Sequence, residues 1–90
     1  MKIAILGSGG REHALTVSIS KSSKIEKIYC IPGNAGTSEI AINIDIDINN
    51  FDSLYNFLNE NKIDLVVVGP EQPLVNGIVD YLEKFNIKVF

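Results

Sequence analysis

Ninety residues, 46 % of them apolar, make one small domain with one core and exclude a disordered chain. The formal net charge of −3, with no basic cluster, argues against a nucleic-acid partner. The single cysteine rules out an internal disulfide, and no apolar run reaches the length of a leader or a membrane span, so the expected setting is reducing and cytoplasmic, with no membrane partner.

Lys2 to Leu6 reads as a first strand, with an apolar run suited to a central parallel position. Gly7, Gly9 and Gly10 follow as a tight turn, and Arg11 to about Ser20 restarts as a helix with Ala14, Leu15 and Ile19 on one side. Glu26 to Ile31 is a second strand. It holds Cys30 in an apolar run, where a free thiol behaves as a small core residue. Pro32 to Thr37 is a loop dense in turn residues.

Ile40, Ile42, Ile44, Ile46 and Ile48 alternate with polar residues, which predicts a strand from Ile40 to Ile48 with one buried and one wet face. Its aspartates suit a sheet edge. Phe51, Leu54, Tyr55 and Leu58 recur at helical spacing, so Asn50 to Asn61 is a second helix. Asp64 to Val68 is another buried strand, and Gly69 to Leu74 is a second Gly/Pro-rich loop. Leu74, Val75, Ile78, Val79 and Leu82 form the inner stripe of a third helix, with Pro73 in its first turn. Ile87 to Phe90 closes the sheet. A chain that stops on a strand suggests a piece of something longer.

This alternation predicts an α/β fold: a doubly wound, Rossmann-like parallel sheet of five strands in the order 3-2-1-4-5, with three helices. The first and fourth strands then meet where the winding reverses, and ligands bind such sheets outside the carboxyl ends of the strands there. Three loops should converge on that rim: Gly7–Arg11, Pro32–Thr37 and Gly69–Leu74.

A Gly-rich turn onto a helix start is a generic anion cradle, built from free amides and the positive end of the helix dipole. The dinucleotide fingerprint is not met. Its third small residue is replaced by Glu12, and the second strand ends in Ile31-Pro32 instead of an acid. The Lys-Ser/Thr of a phosphate-binding P-loop is also missing. Glu12 suits the helix dipole as a cap, and Arg11 can grip an anion. His13, the one histidine, has no partner ligand in the sequence and reads as structural or supporting. Asp45-x-Asp47-x-Asn49 opens like a calcium loop, but Asn50 and Asn56 stand where Gly and Glu are needed. Glu71 follows an apolar strand at the presumed ligand edge, where a carboxylate can accept hydrogen bonds from hydroxyls or an amine.

Three motifs in this order, Leu6-Gly-Ser-Gly-Gly-Arg-Glu-His-Ala-Leu15, Pro32-Gly-Asn-Ala-Gly-Thr37 and Val68-Gly-Pro-Glu-Gln-Pro-Leu74, resemble the N-terminal domain of the phosphoribosylamine–glycine ligase (glycinamide ribonucleotide synthetase) family. The resemblance covers residues 1–90 and implies a substrate-binding domain that precedes an ATP-grasp region. It implies a purine-biosynthesis ligase joining glycine to 5-phosphoribosylamine with cleavage of ATP. ATP and Mg²⁺ are then bound outside these ninety residues and no cofactor within them. The implied partners are phosphoribosylamine, glycine, ATP and the other domains of the same chain. The implied substrate-binding residues are Gly9, Gly10 and Arg11 near the ribose phosphate, Asn34, Gly36 and Thr37 on a flank, and Glu71 at the ribose hydroxyls or amine, together with Glu12, Pro73 and Leu74. Two rival readings are a nicotinamide-binding oxidoreductase piece and a non-catalytic nucleotide-sensing or interaction domain.

Overall fold

A computed structural model describes residues 1–69 and 77–90 of the chain. Its centre is β1 (Lys2–Gly7), which pairs in parallel with β2 (Lys27–Pro32) on one side and with β4 (Leu65–Val68) on the other. The edges are β3 (Ile42–Asn43) beside β2 and β5 (Lys88–Val89) beside β4. The five strands run in the order β3-β2-β1-β4-β5, all parallel, as the alternation of elements predicts. Three α-helices lie among the described residues: α1 (Gly10–Ser20), α2 (Phe51–Glu60) and α3 (Ile78–Glu83).

Successive side chains of β1 point to opposite faces, and each face has its own core. Ala4 and Leu6 join Tyr29, Ile31 and Val66 under Leu54 and Leu58 of α2 and Ile78 and Leu82 of α3. Ile3 and Ile5 join Ile28, Cys30 and Val67 on the other face, with Ile19 of α1 packed against them. Cys30 is a buried free thiol, in keeping with its apolar run. The result is a doubly wound, Rossmann-like α/β sheet.

Helix α2 is bounded as its sequence predicts. Asn50 caps it, its side chain accepting the Ser53 N–H at 3.2 Å, and Asn61 stands at the far end. The start of the third helix, with Pro73, Leu74 and Val75, lies outside the described residues.

Two elements depart from expectation. The strand predicted over Ile40–Ile48 is only Ile42–Asn43, and Ile40 and Ile42 are 40 % and 43 % exposed. The reason lies in its neighbour. The Ile44 N–H reaches the Cys30 carbonyl at 2.9 Å, but Pro32 has no N–H with which to continue the ladder. The Ile46 N–H turns back instead to the Ile44 carbonyl at 3.0 Å. Ile44, Ile46 and Ile48 still pack against the α2–α3 core, so the alternation marks burial without a strand.

Helix α1 is the second departure. Ala14 and Leu15 were expected inward, yet Ala14 is exposed and Leu15 is 37 % exposed. The inward residues are Glu12 and Thr16, with Ile19 half-buried. Thr16 tolerates burial because its hydroxyl donates to the Glu12 carbonyl at 2.6 Å and lies 3.4 Å from Cys30 Sγ.

Candidate functional site

The carboxyl ends of β1, β2 and β4 form one rim, and side chains tie their loops together. Gly9 is the N-cap of α1, with extended backbone (φ −88°, ψ 178°) and no side chain capping the helix. The first helical bond runs from the His13 N–H to the Gly9 carbonyl at 3.1 Å. The amides of the opening turn therefore have no partner inside the helix, and Ser8, Gly9, Gly10 and Arg11 are exposed. A Cβ placed on Gly10 would meet nothing within 4 Å, so the space beside it is open.

The second loop leans directly on the first. Asn34 Nδ2 donates to the Ser8 carbonyl at 2.8 Å and reaches the Gly9 carbonyl at 3.4 Å. Asn34 is itself held from behind. Its N–H donates to Thr37 Oγ1 at 2.8 Å, its Oδ1 accepts the Thr37 N–H at 2.9 Å, and its carbonyl accepts Asn43 Nδ2 at 2.8 Å. The Thr37 hydroxyl donates to Asn43 Oδ1 at 2.8 Å, and Thr37 is fully buried. Gly33 has φ +76°, a conformation that favours glycine, and a Cβ there would also strike Asn43 Oδ1. Gly36 lies against the His13 ring, which a Cβ at Gly36 would meet at 2.7 Å.

At the third corner, Arg11 donates through a guanidinium N–H to the Gly69 carbonyl at 3.1 Å. Glu12 is 6 % exposed, and its side chain lies against Gly7, Gly9 and Gly69. Arg11, Glu12, Leu15, Val67, Val68 and Gly69 line a cleft of about 210 Å³ between α1 and β4.

Of the sequence-predicted site residues, the rim thus gathers Gly9, Gly10, Arg11, Glu12, Asn34, Gly36 and Thr37. Gly9, Gly10 and Arg11 face outward, whereas Glu12 and Thr37 are buried in the walls. Glu71, Pro73 and Leu74 lie outside the described residues. Asn43 was missed. Its only signal in the sequence is a polar residue between two isoleucines, which a wet strand face explains equally well. Among the described residues, no three His, Cys, Asp or Glu side chains come together as a metal site. No described helix is long and apolar enough to cross a membrane.

The whole chain, residues 1–90, matches the family described as phosphoribosylglycinamide synthetase, N domain. The chain belongs to this family. Its relatives include phosphoribosylamine–glycine ligases of Caldanaerobacter subterraneus, 48 % identical over 90 residues, and Mesorhizobium japonicum, 50 % identical over 90 residues. Both matches cover 100 % of this chain but only 22 % and 21 % of those enzymes. A crystal structure of phosphoribosylamine–glycine ligase from Thermotoga maritima shares the fold at a TM-score of 0.63 and 28 % identity, over 80 % of this chain and 16 % of that one. The chain of this family member therefore spans about a fifth of the curated relatives it matches. The fold and family expected from the three sequence motifs are those found.

Proposed function

We propose that this domain holds phosphoribosylamine in an ATP-dependent ligase that joins it to glycine, yielding glycinamide ribonucleotide, ADP and phosphate. One observation carries the reading: the turn Gly7–Arg11, the loop Gly33–Thr37 and Gly69 are cross-linked on a single rim at the switch point of a sheet whose relatives bear that enzyme's name. The exposed amides of Gly9 and Gly10 at the start of α1 suit the ribose phosphate. Arg11 adds a cation beside them. Asn34 and Gly36 form the flank, and Glu71 is proposed to accept hydrogen bonds from the ribose hydroxyls or the amine.

ATP, when bound with Mg²⁺ elsewhere in the enzyme, activates the glycine carboxylate. This domain's residues orient the amine that attacks it, and orientation alone can supply several kcal/mol of rate acceleration, about 7–11 kcal/mol at its upper range.

Titrating ribose 5-phosphate into the labelled chain is expected to shift the amide signals of Gly9 and Gly10 first. Signals that stay still at both residues at saturating ligand overturn the reading. In the full-length enzyme, Glu71→Gln is expected to raise KM for phosphoribosylamine while ATP binding stays unchanged. Unaltered amine kinetics would remove Glu71 from the site.

A further inference from the structure

Gly69 follows β4, yet its backbone does not demand glycine, because it is not among the residues of positive φ. What bars a side chain there is Glu12. A Cβ on Gly69 would stand 2.2 Å from Glu12 Oε1 and 2.8 Å from its Cγ. A Cβ on Gly7 would stand 2.3 Å from the same Oε1, and one on Gly9 would stand 3.1 Å from Oε2. The Gly69 N–H donates to the Leu6 carbonyl at 3.1 Å, so the ends of β1 and β4 are paired, and the Glu12 side chain lies across them in a niche that exists because all three neighbours lack a Cβ. Burying a carboxylate is costly, and Glu12 is only 6 % exposed. Helix dipole and capping explain an acid in the first turn at the surface, but not one turned inward onto two strand ends. Arg11 reinforces the same connection from outside by its hydrogen bond to the Gly69 carbonyl.

We propose that Glu12 is a positioning residue: its side chain is a spacer that sets how the first turn of α1 sits over Gly7 and Gly69 at the paired ends of β1 and β4, and so aims the Gly9 and Gly10 amides at the substrate. It acts through the glycines and does not touch the substrate itself. The proposal rests on the phosphoribosylamine reading for its kinetic consequence, but its structural content stands apart from it. It also explains why position 12 departs from the dinucleotide fingerprint. The third small residue of that pattern lets helix and strand approach closely, and here a side chain occupies that space instead.

The test uses the full-length enzyme with four variants: Glu12→Gln, Glu12→Ala, Gly69→Ala and the Glu12→Ala/Gly69→Ala double. Glu12→Gln keeps the shape of the spacer and is expected to leave KM for phosphoribosylamine nearly unchanged. Glu12→Ala removes the spacer, and Gly69→Ala evicts it. Each is expected to raise that KM by about ten- to a hundredfold, the scale of a small misplacement in a binding site, with KM for ATP unmoved. The double variant is expected to be no worse than either single, because both remove one thing. A Gln variant as damaged as the Ala variant would mean that the charge contacts substrate, and would overturn the proposal. Additive losses in the double variant, or a parallel rise in KM for ATP, would do the same. Amide shifts of Gly9 and Gly10 provide a readout independent of activity. Gly69→Ala and Glu12→Ala are expected to move them in the same direction, and unmoved shifts overturn the spacer even in an enzyme of some other activity.

Discussion

The face under α2 and α3 and the rim at the carboxyl ends of β1, β2 and β4 are both well packed, but by opposite means. On the face, Leu54, Leu58, Ile78 and Leu82 are at most 1 % exposed and sit among apolar neighbours. Around α1 and the rim, the buried side chains include Glu12, Thr16 and Thr37, the three buried polar residues among those described. Apolar packing depends on volume and tolerates swaps that conserve it. Polar packing against bare glycine backbone depends on where single atoms stand. The face therefore supplies stability, and the rim supplies geometry.

Truncation on the face should separate the two most sharply. Leu54→Ala is expected to destabilise the domain by about 2–5 kcal/mol, read from chemical denaturation, because the cavity opens in the apolar cluster beneath α2. If the same variant shifted the Gly9 and Gly10 amides as strongly as a rim variant does, the division between face and rim would fail. Thr37→Val reverses the emphasis. It conserves volume but leaves the Asn34 N–H and Asn43 Oδ1 without the hydroxyl they share, at a cost of about 1–3 kcal/mol. Its larger consequence is expected at the turn after β1, since Asn34 holds the Ser8 carbonyl. Amide exchange at Ser8 to Gly10 should rise more than exchange in α2, and equal acceleration in both would mean that Thr37 is ordinary core.

The smallest effect lies outside both regions. Tyr81 of α3 donates its hydroxyl to Asp52 of α2, and chiefly that hydrogen bond raises the phenol above its ordinary pKa of 10.0. A raised folded-state value means that the contribution is whole below about pH 10 and is lost as the pH climbs past the folded pKa. Tyr81→Phe should accordingly lower the neutral stability slightly and flatten the alkaline fall, while leaving the rim amides nearly unchanged. A variant that lost as much stability at pH 11 as the parent chain would detach Tyr81 from this effect.

Much of the site was legible before any coordinates. The three Gly/Pro-rich loops announce turns at strand ends, and the order of elements places those ends on one rim. Residues 7–11 and 33–37 meet there as the pattern requires, with Gly69 as the described corner of the third loop. What was illegible is which side chains face in. Glu12 and Thr37 were implied as substrate contacts by the family resemblance, and acids and hydroxyls near turns usually meet water or ligand. Leu15 read as core for the same kind of reason, since an apolar residue at helical spacing usually packs inward. The inward turn of the two polar residues depends on partners distant in the chain, Gly69 for Glu12 and Asn43 for Thr37, and with Glu12 and Thr16 facing in, Leu15 is left 37 % exposed.

The amino-acid order alone determined the elements, the direction of the winding and the chemistry available at the turn after β1, because those follow from hydrophobic period, glycine and proline conformation and caps within a few residues. It also carried the end of the β3 ladder, in the missing amide of Pro32, although that consequence shows only once β2 and β3 lie side by side. Tertiary structure decided the burial of Glu12, the lock of Thr37 on Asn34 and Asn43, and the seat of the first turn of α1 over the ends of β1 and β4. These depend on atoms brought together by the closed sheet, and no local pattern encodes a distance between segments that meet only after folding.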